Sequence, residues 1–122
     1  MALPIPARIA TFKAHGRVHY GLITDDGAVD LSKDFAPDFP DLRAAIEADA
    51  LSRLVEAGSG RKPDFALDEI EYLIPVQNPE KLICVGVNFP DRNAEYKDGQ
   101  AAPSKPSLFI RFPRSFTGHD RP

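Results

Sequence analysis

Two apolar runs decide the fold: Leu82-Ile83-Cys84-Val85-Gly86-Val87 and, after a polar loop, Ser107-Leu108-Phe109-Ile110-Arg111-Phe112. A continuous apolar run bounded by turn residues predicts a strand that is buried on both faces. A polar loop between two such strands is where protein scaffolds usually carry their chemistry. The stretch from Lys81 to Arg111 is therefore the first place to look for a functional site.

The composition is that of an ordinary globular protein. Of the 122 residues, 43% are apolar and 27% are charged, a balance that disordered and fibrous chains do not have. The net charge of −3 argues against nucleic acid or an anionic membrane surface as the main partner. No apolar stretch approaches the roughly 18 residues of a membrane span. We therefore expect no nucleic-acid partner and no membrane partner.

Cys84 is the only cysteine, so an intrachain disulfide is impossible. A chain without disulfides fits a reducing compartment, and the N-terminal residues lack the basic region of a signal peptide. In mid-strand, a thiol is typically buried and inert. We therefore expect a cytoplasmic protein in which Cys84 has no catalytic role.

The first part of the chain predicts an antiparallel meander. Strands are expected over residues 7–13, 17–24 and 28–31, because apolar and polar residues alternate there. Asp26-Gly27 predicts a type I′ hairpin turn between the last two of these strands. His15 and His19 are four residues apart and are expected on the polar face of a strand with Arg17, without a third ligand near them, which disfavours a zinc site.

Two short helices are expected to follow the meander. Apolar residues at helical spacing extend over residues 42–55, with Asp41 as the N-cap and an irregularity near Asp49. Residues 34–40 predict a loop, and a further short strand is expected within residues 65–74. The segment 75–79 has the composition of a connector.

The sequence thus predicts an α+β protein with a small N-terminal domain at residues 1–74 and the beginning of a second domain at 75–122. The second part holds two strands, a short helical turn and many prolines. Units of about 40 residues rarely fold alone, because they bury too little apolar surface. We therefore expect the second domain to be incomplete in this sequence.

The residues of the second part resemble those of the fumarylacetoacetate hydrolase family. The family pattern is a hydrophobic strand, then Gly-x-Asn-Tyr-x-Asp-His-x-x-Glu, a loop, and Pro-x-x-Phe-x-Lys/Arg-x-Pro/Ser-x-Ser. The matching residues here are Gly86, Asn88, Asp91, Glu95, Pro106, Phe109, Arg111, Pro113 and Ser115. The resemblance implies a mixed β-roll catalytic domain, preceded by the small N-terminal domain that many members carry.

The resemblance also implies a function. It points to a metal-dependent hydrolase that cleaves a C–C bond in an acylpyruvate-type oxo-acid, in the form of a homodimer. An isomerase or decarboxylase of the same family, acting on a hydroxymuconate-type or oxo-dienoic acid, is an alternative, because one scaffold supports several reactions. A non-catalytic binding or regulatory module is another alternative. A weak nucleic-acid binder using the basic C-terminal residues is the last.

The metal is implied by the resemblance alone. Family members use a divalent ion, typically Mg²⁺ and alternatively Mn²⁺ or Ca²⁺, to stabilise the enolate that develops in the reaction. Their Glu-x-Glu and a later acidic ligand lie downstream of the position that Gly118-His119 matches. The ligands are therefore expected beyond Pro122, no metal ligand is assigned within this sequence, and this part alone is expected to be inactive.

Four residues are assigned to the site by the resemblance: Glu95 and Arg92 as catalytic residues, and Arg111 and Asn88 as substrate-binding residues. Arg92 stands where hydrolytic members commonly have a histidine that activates water. A guanidinium stays protonated and cannot do this, although it can bind a carboxylate through two parallel hydrogen bonds. Glu95 is then expected to be the base, and hydrolysis becomes less favourable relative to isomerisation, decarboxylation or a variant form of hydrolysis.

Each of these residues also has a purely structural interpretation. Arg92 and Glu95 are three positions apart, so they could form an exposed ion pair worth roughly 0.2–0.5 kcal/mol. Arg111 shares a strand face with Phe109, where a cation could bind an oxo-acid or could only protect a sheet edge.

Overall fold

The computed structural model describes residues 7–86, 99 and 104–122. These residues form two compact units. The first contains the described residues up to Pro79 together with Phe116–Pro122, and the second contains those within Glu80–Ser115. Antiparallel sheets and short helices make the fold α+β, as predicted. The division into domains 1–74 and 75–122 stays a prediction.

The first unit is built on a four-stranded antiparallel sheet. Its strands are β1 (Ile9–Ala14), β2 (Arg17–Thr24), β3 (Gly27–Asp30) and β4 (Ile70–Tyr72), in the order β3-β2-β1-β4. The predicted meander of three strands is confirmed. The strand expected within residues 65–74 is also confirmed, and it extends the sheet by pairing with β1.

One of the two hairpin turns of the meander differs from the prediction. His15 and Gly16 join β1 to β2 with φ angles of 47° and 78°. Positive φ at both central residues is what a type I′ turn requires. The expected type I′ turn at Asp26-Gly27 is wrong, since Asp25 and Asp26 are the turn residues there and neither has a positive φ.

Gly27 has a different role from the one its Asp-Gly signal suggested. It is already paired with Thr24 in the β2–β3 ladder, at a φ of 147°. A Cβ atom at this position would lie 2.3 Å from the carbonyl oxygen of Phe65. Glycine is needed here because the backbone of the 63–65 segment closes on the edge of β3.

Three α-helices follow the meander: α1 (Ser32–Phe35), α2 (Leu42–Glu47) and α3 (Leu51–Gly58). Asp41 caps α2 as predicted, because its side chain accepts a hydrogen bond from the Ala44 N–H at 2.8 Å. Asp49, with a φ of 52°, separates α2 from α3. The helix α1 lies where the sequence predicted a loop to begin. Among the described residues, no helix has the length and apolarity to cross a membrane.

Both faces of the first sheet are covered by apolar residues. On one face the helices α2 and α3 pack against β2 and β3, and the buried residues there are Tyr20, Leu22, Val29, Leu31, Leu42, Ala45, Ala50, Leu54 and Val55. On the other face the buried residues are Phe12, Ala14, Ile23 and Ala28, with Phe65, Ile70 and Tyr72 packed against them. This double burial makes the first unit the stable part of the described chain.

The second unit contains an antiparallel ribbon of β5 (Ile83–Val85) and β6 (Leu108–Ile110). Both predicted strands are present, and both are shorter than predicted. Burial of the first run on both faces is wrong for the described residues, since Ile83 is 62% exposed and Val85 is 54% exposed. Within the part of the chain described here β5 pairs only with β6, whose residues on the same face are exposed as well, at 64% for Leu108 and 70% for Ile110.

Candidate substrate-binding site

The structure describes one of the four residues assigned to the site. Arg111 follows β6 directly, whereas Asn88, Arg92 and Glu95 lie outside the described residues. The roles assigned to all four therefore stay predictions.

Arg111 is held at the end of the ribbon by its backbone and by its side chain. Its N–H donates to the carbonyl oxygen of Leu82 at 3.1 Å, which continues the β5–β6 ladder beyond Ile110. Its guanidinium carbon lies 5.1 Å from the centre of the Phe109 ring. Residues two apart on a strand share a face. Arg111 and Phe109 thus share one face, as the sequence indicated.

The two faces of the ribbon differ in chemistry. The aliphatic pairs Ile83–Ile110 and Val85–Leu108 lie on one face. Cys84 and Phe109 lie opposite each other on the other face, which Arg111 extends. The guanidinium carbon lies over the ring as a cation–π contact, and the planar N–H groups of a guanidinium suit two parallel hydrogen bonds with a carboxylate. The second face is therefore the candidate site for an acidic ligand.

The metal that the resemblance implies has no ligand set in the described part of the chain. Within residues 7–86, 99 and 104–122, no three histidine, cysteine, aspartate or glutamate side chains lie close enough together to hold an ion. The described residues therefore do not fit a divalent metal, and no step of the reaction is derived through one. Ligands downstream of Pro122 stay a prediction.

Three residue types of a nucleophilic triad meet in the first unit. His19 Nδ1 lies 2.9 Å from Asp30 Oδ2, and Ser32 Oγ donates to Asp30 Oδ1 at 2.5 Å. In a catalytic triad the histidine stands between the serine and the aspartate, so that it can take the serine proton. Here both the serine and the histidine have their shorter contact with the aspartate, although Ser32 Oγ also lies 3.4 Å from His19 Nδ1. The cluster therefore connects β2, β3 and α1, and the serine hydroxyl donates its proton to Asp30.

A second carboxylate supports this cluster. Asp64 accepts a hydrogen bond from the backbone N–H of Asp30 at 2.8 Å and another from Lys33 Nζ. Burial alone would raise the pKa of Asp64. These two hydrogen bonds and the charges of Lys33 and Arg61 outweigh burial and bring that pKa below its ordinary value. Asp64 thus holds the 61–65 segment against β3 as a carboxylate.

The sequence interpretation of His19 was wrong about its surroundings. His19 was placed on a polar face, yet its side chain is only 15% exposed. Its ring stacks on Phe12 at 5.7 Å between centroids and lies 5.1 Å from the Phe65 ring. Phe12 could have indicated this burial from the sequence, because it pairs directly with His19 in the β1–β2 register.

The first unit also contains an open cleft of about 220 Å³. It lies between the end of β4 and the segment Phe116–Pro122, and its lining residues are Glu71, Tyr72, Leu73, Ile74, Gln77, Phe116, Thr117, Gly118 and Arg121. Its charged lining residues pair with each other, since Arg121 Nη2 lies 2.7 Å from Glu71 Oε1. This pairing makes the cleft a weaker candidate for an acidic ligand than the Arg111 face.

Comparison with known proteins gives several relatives. No model of a protein family matches the sequence. The mitochondrial oxaloacetate tautomerase FAHD2A of Homo sapiens is 30% identical over 117 residues, which are 91% of this chain and 37% of the relative. The mitochondrial oxaloacetate tautomerase Fahd2a of Rattus norvegicus is 33% identical over 69 residues, 57% of this chain and 21% of the relative.

A third relative carries the family name directly. Fumarylacetoacetate hydrolase domain-containing protein 2 of Pongo abelii is 29% identical over 117 residues, 91% of this chain and 37% of the relative. The chain therefore spans little more than a third of the length of such relatives. The similarity nevertheless extends over both units. On these relatives and on the motifs around β5 and β6, the chain belongs to the fumarylacetoacetate hydrolase family.

Proposed function

We propose that this chain belongs to an enzyme that binds a small 2-oxo acid and interconverts its keto and enol forms. The observation that carries the proposal is the guanidinium of Arg111, whose carbon lies over the Phe109 ring at 5.1 Å from its centre on one face of the ribbon. Relatives with oxaloacetate tautomerase in their names support this reaction over hydrolysis.

Tautomerisation needs only two proton transfers. A base removes a proton from the carbon next to the carbonyl group, and a proton is delivered to the carbonyl oxygen. No water attacks and no C–C bond breaks, so a histidine that activates water is not required. This reaction therefore suits a chain with Arg92 at the usual histidine position, and Glu95 is proposed as the base.

Arg111 is proposed to bind the carboxylate of the oxo acid. A guanidinium and a carboxylate form two parallel charge-assisted hydrogen bonds, which fix the orientation of the ligand. A fixed cation also stabilises negative charge as the enolate develops, without reorganising during the reaction. Asn88 is proposed as a further polar contact to the same ligand.

The proposal also includes the metal, the oligomeric state and the cell compartment of the enzyme. A divalent metal such as Mg²⁺, bound by residues outside this sequence, would supply Lewis-acid stabilisation of the enolate. Assembly as a homodimer is likewise proposed from the family resemblance. The lone cysteine supports a reducing compartment such as the cytoplasm, whereas the named relatives are mitochondrial. Cell fractionation with immunodetection would distinguish the two compartments.

The role of Arg111 is tested in the protein as its own cell produces it. Arg111→Ala is expected to lower kcat/KM for enol oxaloacetate about 10- to 100-fold, because a hydrogen bond to a charged group contributes about 1.5–3 kcal/mol. Arg111→Lys should retain part of the activity. Arg114→Ala is the matched control, since Arg114 is exposed nearby and has no assigned role. Arg111→Ala activity within twofold of wild type would contradict the proposal.

The choice between tautomerisation and hydrolysis is tested at Arg92. Arg92→His supplies the neutral imidazole that water activation needs. The ratio of acylpyruvate cleavage to oxaloacetate tautomerisation is then expected to rise at least tenfold. An unchanged ratio would show that Arg92 does not determine the reaction.

A further inference from the structure

The segment Phe116–Pro122, here called the return segment, follows the second unit in the chain but belongs to the first unit by its contacts. Gly118 lies directly against β4 and the residue that follows it. A Cβ atom on Gly118 would be 1.9 Å from the carbonyl oxygen of Tyr72 and 3.1 Å from the Cα atom of Leu73. Because the nearest obstacle is backbone, only glycine fits at this distance.

Two side chains extend this contact. The ring of His119 meets the ring of Tyr72 edge to face, with 5.7 Å between the centroids. Arg121 Nη2 lies 2.7 Å from Glu71 Oε1, and the two side chains are 48% and 35% exposed. A close backbone contact, an aromatic pair and an ion pair thus join the return segment to β4.

The chain is also held to the first unit before it enters the second. The hydroxyl of Thr11 in β1 donates to the carbonyl oxygen of Pro75 at 2.7 Å, and Thr11 is 5% exposed. Arg43 Nη1 in α2 donates to the carbonyl oxygen of Asn78 at 2.8 Å. The first unit therefore holds the chain immediately before and immediately after the second unit.

We propose that the return segment is an anchor, and that Gly118 and Arg121 are positioning residues for Arg111. This inference rests on the proposed function, in which Arg111 binds the oxo acid. Holding both ends of the second unit limits the conformations open to it. A binding group displaced by about 1 Å can cost on the order of 100-fold in kcat/KM.

Hydrogen exchange in the full chain, as its own cell produces it, tests the anchor without any activity measurement. Arg121→Glu places a second carboxylate beside Glu71 and is expected to speed amide exchange in residues 81–86 and 104–115 about fivefold. The double variant Glu71→Arg/Arg121→Glu should restore the wild-type rates. Arg114→Glu, which makes the same change of charge outside the return segment, should leave them unchanged.

Gly118→Ala is expected to have a larger effect, with exchange at least tenfold faster in the same residues. The reason is that its methyl group forces the return segment away from β4. The Arg121 series remains decisive if Gly118→Ala fails to fold, because the ion pair is partly exposed. Wild-type exchange in both Arg121→Glu and a folded Gly118→Ala would overturn the anchor.

The positioning role has a kinetic readout. Arg121→Glu should raise the KM for oxaloacetate more than it changes kcat, since the displaced group binds the substrate, and the charge-swapped double variant should recover the KM. An unchanged KM beside faster exchange would overturn the positioning role. A wild-type protein that turns over no oxo acid would overturn the proposed function. The hydrogen-exchange rates would then be the only test of the anchor.

Discussion

The cluster around Asp30 gives the sharpest prediction about stability. The Asp30 side chain is 7% exposed. It accepts hydrogen bonds from the Ser32 backbone N–H at 2.9 Å and from the Ser32 hydroxyl at 2.5 Å. Its Oδ2 atom also lies 2.9 Å from His19 Nδ1. Asp30→Ala leaves two residues without a charged partner. Each loss costs about 1.5–3 kcal/mol, so we expect the free energy of unfolding of the first unit to fall by about 3–6 kcal/mol.

Thermal and urea unfolding, followed by circular dichroism, would measure this loss. A loss of 3 kcal/mol corresponds to a Tm about 12 °C lower or more for a unit of this size. The matched control is Asp25→Ala, because Asp25 is 93% exposed and its pair with Arg8 contributes about 0–1 kcal/mol. Equal losses for the two variants would refute the view that Asp30 connects β2, β3 and α1.

Two further predictions concern the first unit. Asp64 has a pKa lowered below its unfolded value, so its contribution to stability is present above that value and is lost as the pH falls through the folded pKa. Asp64→Asn should therefore reduce the pH dependence of Tm below about pH 5. An unchanged dependence of Tm on pH in this range would contradict the lowered pKa of Asp64. Leu54 is fully buried, so Leu54→Ala should cost about 2–5 kcal/mol in urea unfolding. Ile46→Ala, at a residue 48% exposed, is the control and should cost less than half as much.

Local patterns in the sequence were sufficient for most of the first unit. The alternation in β2 and the cap at Asp41 are local signals, and each forms the element it predicts. The turn prediction failed for a non-local reason. Glycine is required at position 27 because the Phe65 backbone approaches it closely. The Asp-Gly pair therefore reflects packing and not a type I′ turn.

The long-range contacts of the first unit were harder to predict, because they join residues distant in sequence. Nothing near His19 in the sequence indicates that Asp30 will accept its hydrogen bond, since the β2–β3 register brings them together. Gly118 and Tyr72 likewise meet only because the chain returns to the first unit. The face shared by Arg111 and Phe109 was predictable, since two residues of one strand are enough to define it.

The most direct test of the proposed function is the ratio of two rates for the wild-type protein as its own cell produces it. Enol oxaloacetate and an acylpyruvate are offered separately with Mg²⁺, and ultraviolet absorbance follows the loss of the enol and of the acylpyruvate. We predict that oxaloacetate tautomerisation has a kcat/KM at least tenfold above that of acylpyruvate cleavage. Cleavage at an equal or higher kcat/KM, or no turnover of either compound, would contradict the account.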